Sequence, residues 1–286
     1  MGEPNGISQM LERPIFPVRP GFRRLVGVTV LAAASFTMVA LGGEPYAPVP
    51  LAPKEAVLPP ADLVEAAATL LQASRSDDRP AIGAMLAPRL TLIDGALELG
   101  LPRRTEEIGP FETIDLALTA LADNIGGIYE QPFDGSDVTP FAVAAERDFI
   151  IAAIIDGQAW GRDPLLDGAI CTYAYRGFDR AAVIALGERL DIQTSSVFYV
   201  EAPVAVLVQP SHGARAAGML QADLLYGLDY DTDAPGGWIA VHLPDGGSGF
   251  LNFENVAISK PYASGICFTR DAGGSWKMSA QTATNL

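Results

Sequence analysis

Hydrophobic positions follow two patterns along the chain, and the pattern changes near residue 197. Before it, apolar residues recur at helical spacing; after it, they form short runs broken by Gly, Pro, Asp and Ser. In "ADLVEAAATLLQAS", Leu63, Ala67, Leu70 and Leu71 share a helical face, with Asp62 and Glu65 in the first turn where carboxylates suit the helix dipole. This predicts a helix from about Ala61 and a short second one over residues 80–86, capped by Asp78, with Pro80 in its first turn. "RLTLIDGALELG", residues 89–100, predicts a hairpin turning at Asp94-Gly95, a pair that accepts the positive φ of a two-residue turn. "PFETIDLALTALADNIGG" brings Ile114, Leu118 and Leu121 to one face and stops at Gly126-Gly127, so it reads as a helix with a glycine terminator. "FDRAAVIALGERL" reads as a helix capped by Asp179. Residues 128–160 stay open, because "FIIAAIIDG" is apolar throughout and periodicity cannot assign it.

From Val197 onward, "VFYVEAPVAVLVQP", "GMLQADLLYGLDY", "WIAVHLP" and "SGFLNF" predict short strands closing into a small β-barrel. Residues 236–253, "GGWIAVHLPDGGSGFLNF", are two of those strands around a Gly-rich turn. The tail "YASGICFTRDAGGSWKMSAQT" predicts a final hairpin turning at "RDAGGS", packed through Phe268, Trp276 and Met278. There is no βα alternation, so the fold class is α+β.

Leu25 to Gly43 runs nineteen residues without a charge, behind Arg13, Arg19, Arg23 and Arg24 and ahead of Glu44. The charge asymmetry keeps residues 1–24 in the cytoplasm and sends the body across the membrane. Ala40 and Gly42 offer a cleavage site for a signal peptide, while the long leader before the run leaves an uncleaved anchor open. Residues 44–60 carry "PYAPVPLAPKEAVLPP", which reads as an extended stalk or linker. The division that follows is an α+β domain over 61–196, a barrel over 197–258, and a hairpin over 259–286 returning to the α+β domain.

The net charge is −15, and an acidic body repels phosphate backbones, which argues against nucleic acid as a partner. His212 and His242 are the only imidazoles, so no three-histidine metal site can form. Asp229, Asp231 and Asp233 alternate like the start of a calcium loop, but the glycine at the sixth position and the glutamate at the twelfth are missing. No metal and no cofactor is expected. G-x-S-x-G, P-loop and G-x-G-x-x-G fingerprints are absent. Cys171 paired with His242 is the one candidate nucleophile arrangement, and its strand-like context offers little to lower a thiol pKa.

Residues 203–256 resemble the bacterial SH3-like domain of envelope proteins. The resemblance rests on "VAVLVQPSHGARA", Gly218-Met219-Leu220, "ADLLYGLDY", Gly237-Trp238-Ile239-Ala240-Val241 and Gly246-Gly247-Ser248-Gly249-Phe250. In the first loop, Gln209 stands where the family pattern carries Arg. More distantly, the arrangement is similar to periplasmic proteins in which an α+β domain precedes such a barrel. The resemblance implies a non-catalytic envelope module that binds an envelope protein, a peptide or peptidoglycan. Tyr226, Tyr230, Trp238 and Phe250 are the groove candidates; a plain core role is favoured for Trp238 and Phe250, since aromatics dominate small cores, which leaves Tyr226 and Tyr230 as the better groove residues. The rival expectation is a cell-wall hydrolase or other enzyme with its site in the α+β domain. An exported chain with an even cysteine count predicts a Cys171–Cys267 disulfide, against the alternative of two buried free thiols.

Overall fold

The structure is a computed structural model that describes residues 43–94, 102–125, 137–157, 159–261 and 263–283. In order, the elements are β1 (Val49–Pro50), α1 (Ala61–Arg75), α2 (Arg79–Met85), β2 (Leu86–Asp94), β3 (Arg104–Ile108), α3 (Ile114–Asn124), α4 (Thr139–Ile155), β4 (Ile170–Cys171) and α5 (Arg180–Leu190). They continue with β5 (Val197–Val200), β6 (Val204–Leu207), β7 (Ala216–Leu220), β8 (Leu224–Gly227), β9 (Trp238–His242), β10 (Ser248–Asn252), β11 (Ile258–Ser259), β12 (Gly265–Arg270) and β13 (Trp276–Ala283). Helices and strands are mixed without βα alternation, as an α+β fold requires. No helix among the described residues is long and apolar enough to cross a membrane. The apolar segment over residues 25–42 lies outside the described residues.

Capping residues set the helix starts. Asp78 accepts from Ala81 N at 3.0 Å, Thr113 from Leu116 N at 3.3 Å and Asp179 from Ala182 N at 3.2 Å. Each thereby satisfies an amide that the first turn leaves without a partner. The ambiguous run resolves as α4, which buries Ala142, Val143, Glu146 and Ile150 along one stripe. The predicted terminator Gly126-Gly127 lies outside the described residues.

A five-stranded sheet, ordered β3-β2-β13-β12-β4, carries α1, α3 and α4 against it. Its centre comes from the end of the chain: β13 runs parallel to β2 and antiparallel to β12. The final hairpin is therefore the middle of the sheet rather than an addition to a finished domain. The first hairpin is also wider than expected. Asp94 pairs with Arg104, so the chain does not reverse at a two-residue Asp94-Gly95 turn, and the return strand is Arg104–Ile108.

The strands after Val197 do not close into a barrel. They form two sheets, β1-β8-β5-β11 and β7-β6-β10-β9, over a shared core that includes Phe198, Val206, Leu225, Tyr226, Val241 and Leu251. Both edges of β8 are taken, one by β5 and the other by β1, and among the described residues the Leu228–Val241 bridge is the one that joins the two sheets. The Pro-rich segment that supplies β1 is thus a strap bound to the body rather than a free stalk. Tyr46, Val49 and Leu51 are buried, Tyr46 Oη donates to His242 O at 2.8 Å, and Val57 N donates to Trp160 O at 2.8 Å. At its start the strap touches the β9–β10 turn. Gly246, at φ 88°, lies so near that a Cβ there would sit 1.9 Å from Gly43 O.

Candidate functional site

The β9–β10 hairpin forms as the sequence pattern implies, with His242 opposite Ser248 and Trp238 opposite Asn252. Side chains alternate across a strand, so one face of the sheet takes Val206, Val241 and Leu251, each at most 1% exposed. The opposite, outward face takes Trp238 and Ala240 of β9, Phe250 of β10, and Leu207 and Ala205 of β6. Pairing makes this row continuous: Phe250 lies across from Ala240 on one side and Leu207 on the other, and Ala205 lies across from Met219 of β7. Trp238, Phe250 and Leu207 are half-buried and Met219 is 52% exposed. His212, on the loop after β6, lies against Trp238 with ring centroids 5.4 Å apart.

Of the four aromatic groove candidates, the structure puts two on this face. Trp238 and Phe250 lie on it, so neither fills the inner core and Trp238 is only partly buried. Tyr230 stands 71% exposed on the loop before β9. Tyr226 does not belong with them. It is 1% exposed in the core against Phe198, and its hydroxyl receives Gln221 N at 2.8 Å and donates to Gln221 O at 3.3 Å. That local bond satisfies the polar tip and lets the ring be buried between residues whose types suggested a surface turn.

The cysteines form the Cys171–Cys267 disulfide, joining β4 to β12 at directly opposed positions. Such a bond fits an oxidising, non-cytoplasmic setting. It also removes Cys171 as a thiolate nucleophile for His242. Asp229 caps its own loop, accepting from Asp231 N at 3.1 Å, Thr232 N at 3.1 Å and Thr232 Oγ1 at 2.8 Å. Among the described residues no group of three or more His, Cys, Asp or Glu side chains could hold a metal ion.

Two buried polar clusters were not anticipated. Behind the disulfide, Asp163 is 2% exposed and takes Arg103 Nη1 at 3.1 Å and Nη2 at 2.6 Å, Leu165 N at 2.9 Å and Tyr173 Oη at 2.6 Å. Tyr173 has one proton and gives it to Asp163, so Thr282 Oγ1, 2.7 Å away, is the donor in the next bond. Burial beside that carboxylate pushes the Tyr173 phenol upward. On the helical side of the sheet, the fully buried Glu146 meets Gln281. Its place on the stripe of Ala142 and Ile150 is the only local signal that could have marked it, and that signal needs the helical register of α4 to be known. Both clusters are shut away from solvent. Their groups are built to hold elements together, whereas the outward face of β7-β6-β10-β9 is open to a ligand.

No protein-family model, curated protein or solved structure matches the chain.

Proposed function

We propose that the chain is a non-catalytic cell-envelope protein that binds cell-wall peptidoglycan or an envelope peptide on the outward face of β7-β6-β10-β9. The observation that carries this reading is the row of Met219, Leu207, Phe250 and Trp238, left partly open around the buried Ala240, while Val206, Val241 and Leu251 on the opposite face of the same strands are buried. Trp238 offers a flat apolar body with a polar N–H edge and Phe250 a second flat ring, surfaces that suit sugar rings and peptide side chains. The resemblance of residues 203–256 to SH3-like envelope domains supports the same reading, and the Arg-flanked apolar run supports a periplasmic or membrane-anchored location.

The competing reading is a hydrolase. It draws on Glu146, a buried acid of the kind that marks catalytic sites, but no described surface leads to it. Sedimentation of the body from Gly43 onward with purified sacculi, beside a turnover assay on the same sacculi, separates the two. Retention without release of fragments supports binding. Release of fragments would replace the binding reading with the enzyme.

A further inference from the structure

Glu146 is the only buried acid on a helix among the described residues, at 0% exposure. Among the described residues its carboxyl has one side-chain partner: Gln281 Nε2 of β13 lies 2.8 Å from each oxygen. Gln281 Oε1 in turn receives Asn124 Nδ2 of α3 at 3.2 Å. Three elements thus meet through one acid and two amides.

No cation among the described residues faces the carboxyl. Arg147, next along α4, turns to Asp77 at 2.7 Å, and Asp148 is exposed. From α1, Asp62 pairs with Arg270 of β12 at 2.5 Å, while Glu65 and Arg75 are exposed. From α3, Asp115 pairs with Arg79 and Asp123 is exposed. Lys277 of β13 donates to Ala84 O at 2.6 Å. An ionised Glu146 would therefore lose its hydration and gain no opposite charge.

We propose that Glu146 is a proton-operated latch: neutral, it fastens the C-terminal strand to α3 and α4, and on ionising it loosens that strand. The amides can serve both states from the same positions. With nitrogen toward Glu146, Gln281 donates to a carboxylate; turned over, its oxygen accepts the acid proton and its nitrogen donates to the likewise turned Asn124 amide. Burial pushes the Glu146 carboxyl well above the usual carboxylate range, and the Gln281 N–H opposes this only in part. The folded chain then holds the proton more tightly than the unfolded one. The stabilisation is complete below the unfolded carboxyl value of about 4.3 and is lost as pH rises through the folded value. Between the two values, the opening equilibrium grows by up to about tenfold per pH unit. In an exported chain the surrounding medium would set the latch.

The test is hydrogen exchange at the amides of Ala280–Ala283 across a pH series, corrected for intrinsic rates, in the full chain and in Glu146→Gln. Wild type is expected to open more as pH rises, up to about tenfold per unit, and Glu146→Gln to stay flat. An infrared band from a carboxyl still protonated where the exposed carboxyls are already ionised is expected in wild type and not in the variant. Equal slopes in the two proteins would overturn the latch. Should Glu146→Gln not fold, the wild-type infrared titration decides. A protonated band persisting above about pH 6, where exposed carboxyls are ionised, supports the latch, and its loss with the exposed groups ends it.

Discussion

Gln281 and Thr282 are neighbours on β13, yet Gln281 reaches Glu146 in the helical layer while Thr282 reaches Tyr173 on the other side of the sheet. Both side chains are 0% exposed. Alternation along a central strand lets two adjacent polar residues serve as anchors for opposite faces, and this ties the chain's last described residues into the sheet from both sides.

The Asp163 anchor rests on a buried charge pair. Asp163→Ala leaves the Arg103 guanidinium without its carboxylate in a site where the Arg103 side chain is only 8% exposed. A loss of about 3 to 5 kcal/mol is expected, read from urea unfolding. Thr282→Val removes one neutral bond and is expected to cost about 1 kcal/mol. Equal, small effects would show that the pair is not buried as described.

Replacing both Cys171 and Cys267 by Ala releases a crosslink between residues 96 apart in sequence. A loss of about 2 to 5 kcal/mol follows from that loop and from the two side chains' burial. Both cysteines are 0% exposed, so the native bond is expected to survive mild reductant until the chain opens. Thiol labelling under native and denaturing conditions measures this directly.

Removing residues 43–57 uncovers the outer edge of β8 and the core around Tyr46, Val49 and Leu51. The melting temperature should fall by several degrees; a free stalk would leave it unchanged. Tyr46→Phe isolates the bond to His242 O, with an expected cost of about 1 kcal/mol. Gly246→Ala drives a methyl group into Gly43 and is expected to detach the start of the strap, seen as faster proteolysis there.

Much of the helical layer was legible because the residues that start helices act locally. Asp78, Thr113 and Asp179 each cap the segment that follows, and Asp179→Ala is expected to cost about 1 kcal/mol by thermal melt. Helix α4 was not legible, since its apolar residues surround it and leave no clear stripe. Pairings between distant segments were also out of reach: nothing local says that β13 lies beside β2. The strap was missed for a related reason. The extended geometry that proline imposes serves a stalk and an edge strand alike, and only the burial of Tyr46 and Val49 separates them. Of the candidate site, the core role favoured for Trp238 and Phe250 fails because strand alternation sets them on the face opposite Val241 and Leu251, and Tyr226 is a core residue rather than a groove residue because its satisfying bond to Gln221 is invisible in composition.

The outward face is tested most directly by titrating the body from Gly43 onward against purified peptidoglycan, with and without the paired substitutions Trp238→Ala and Phe250→Ala. These side chains are only half-buried, so the melting temperature should change little while affinity falls by at least about tenfold, as for aromatic anchors at an interface. Wild-type binding that survives both substitutions unchanged would contradict the account, as would a folded wild-type body that binds neither peptidoglycan nor envelope peptides.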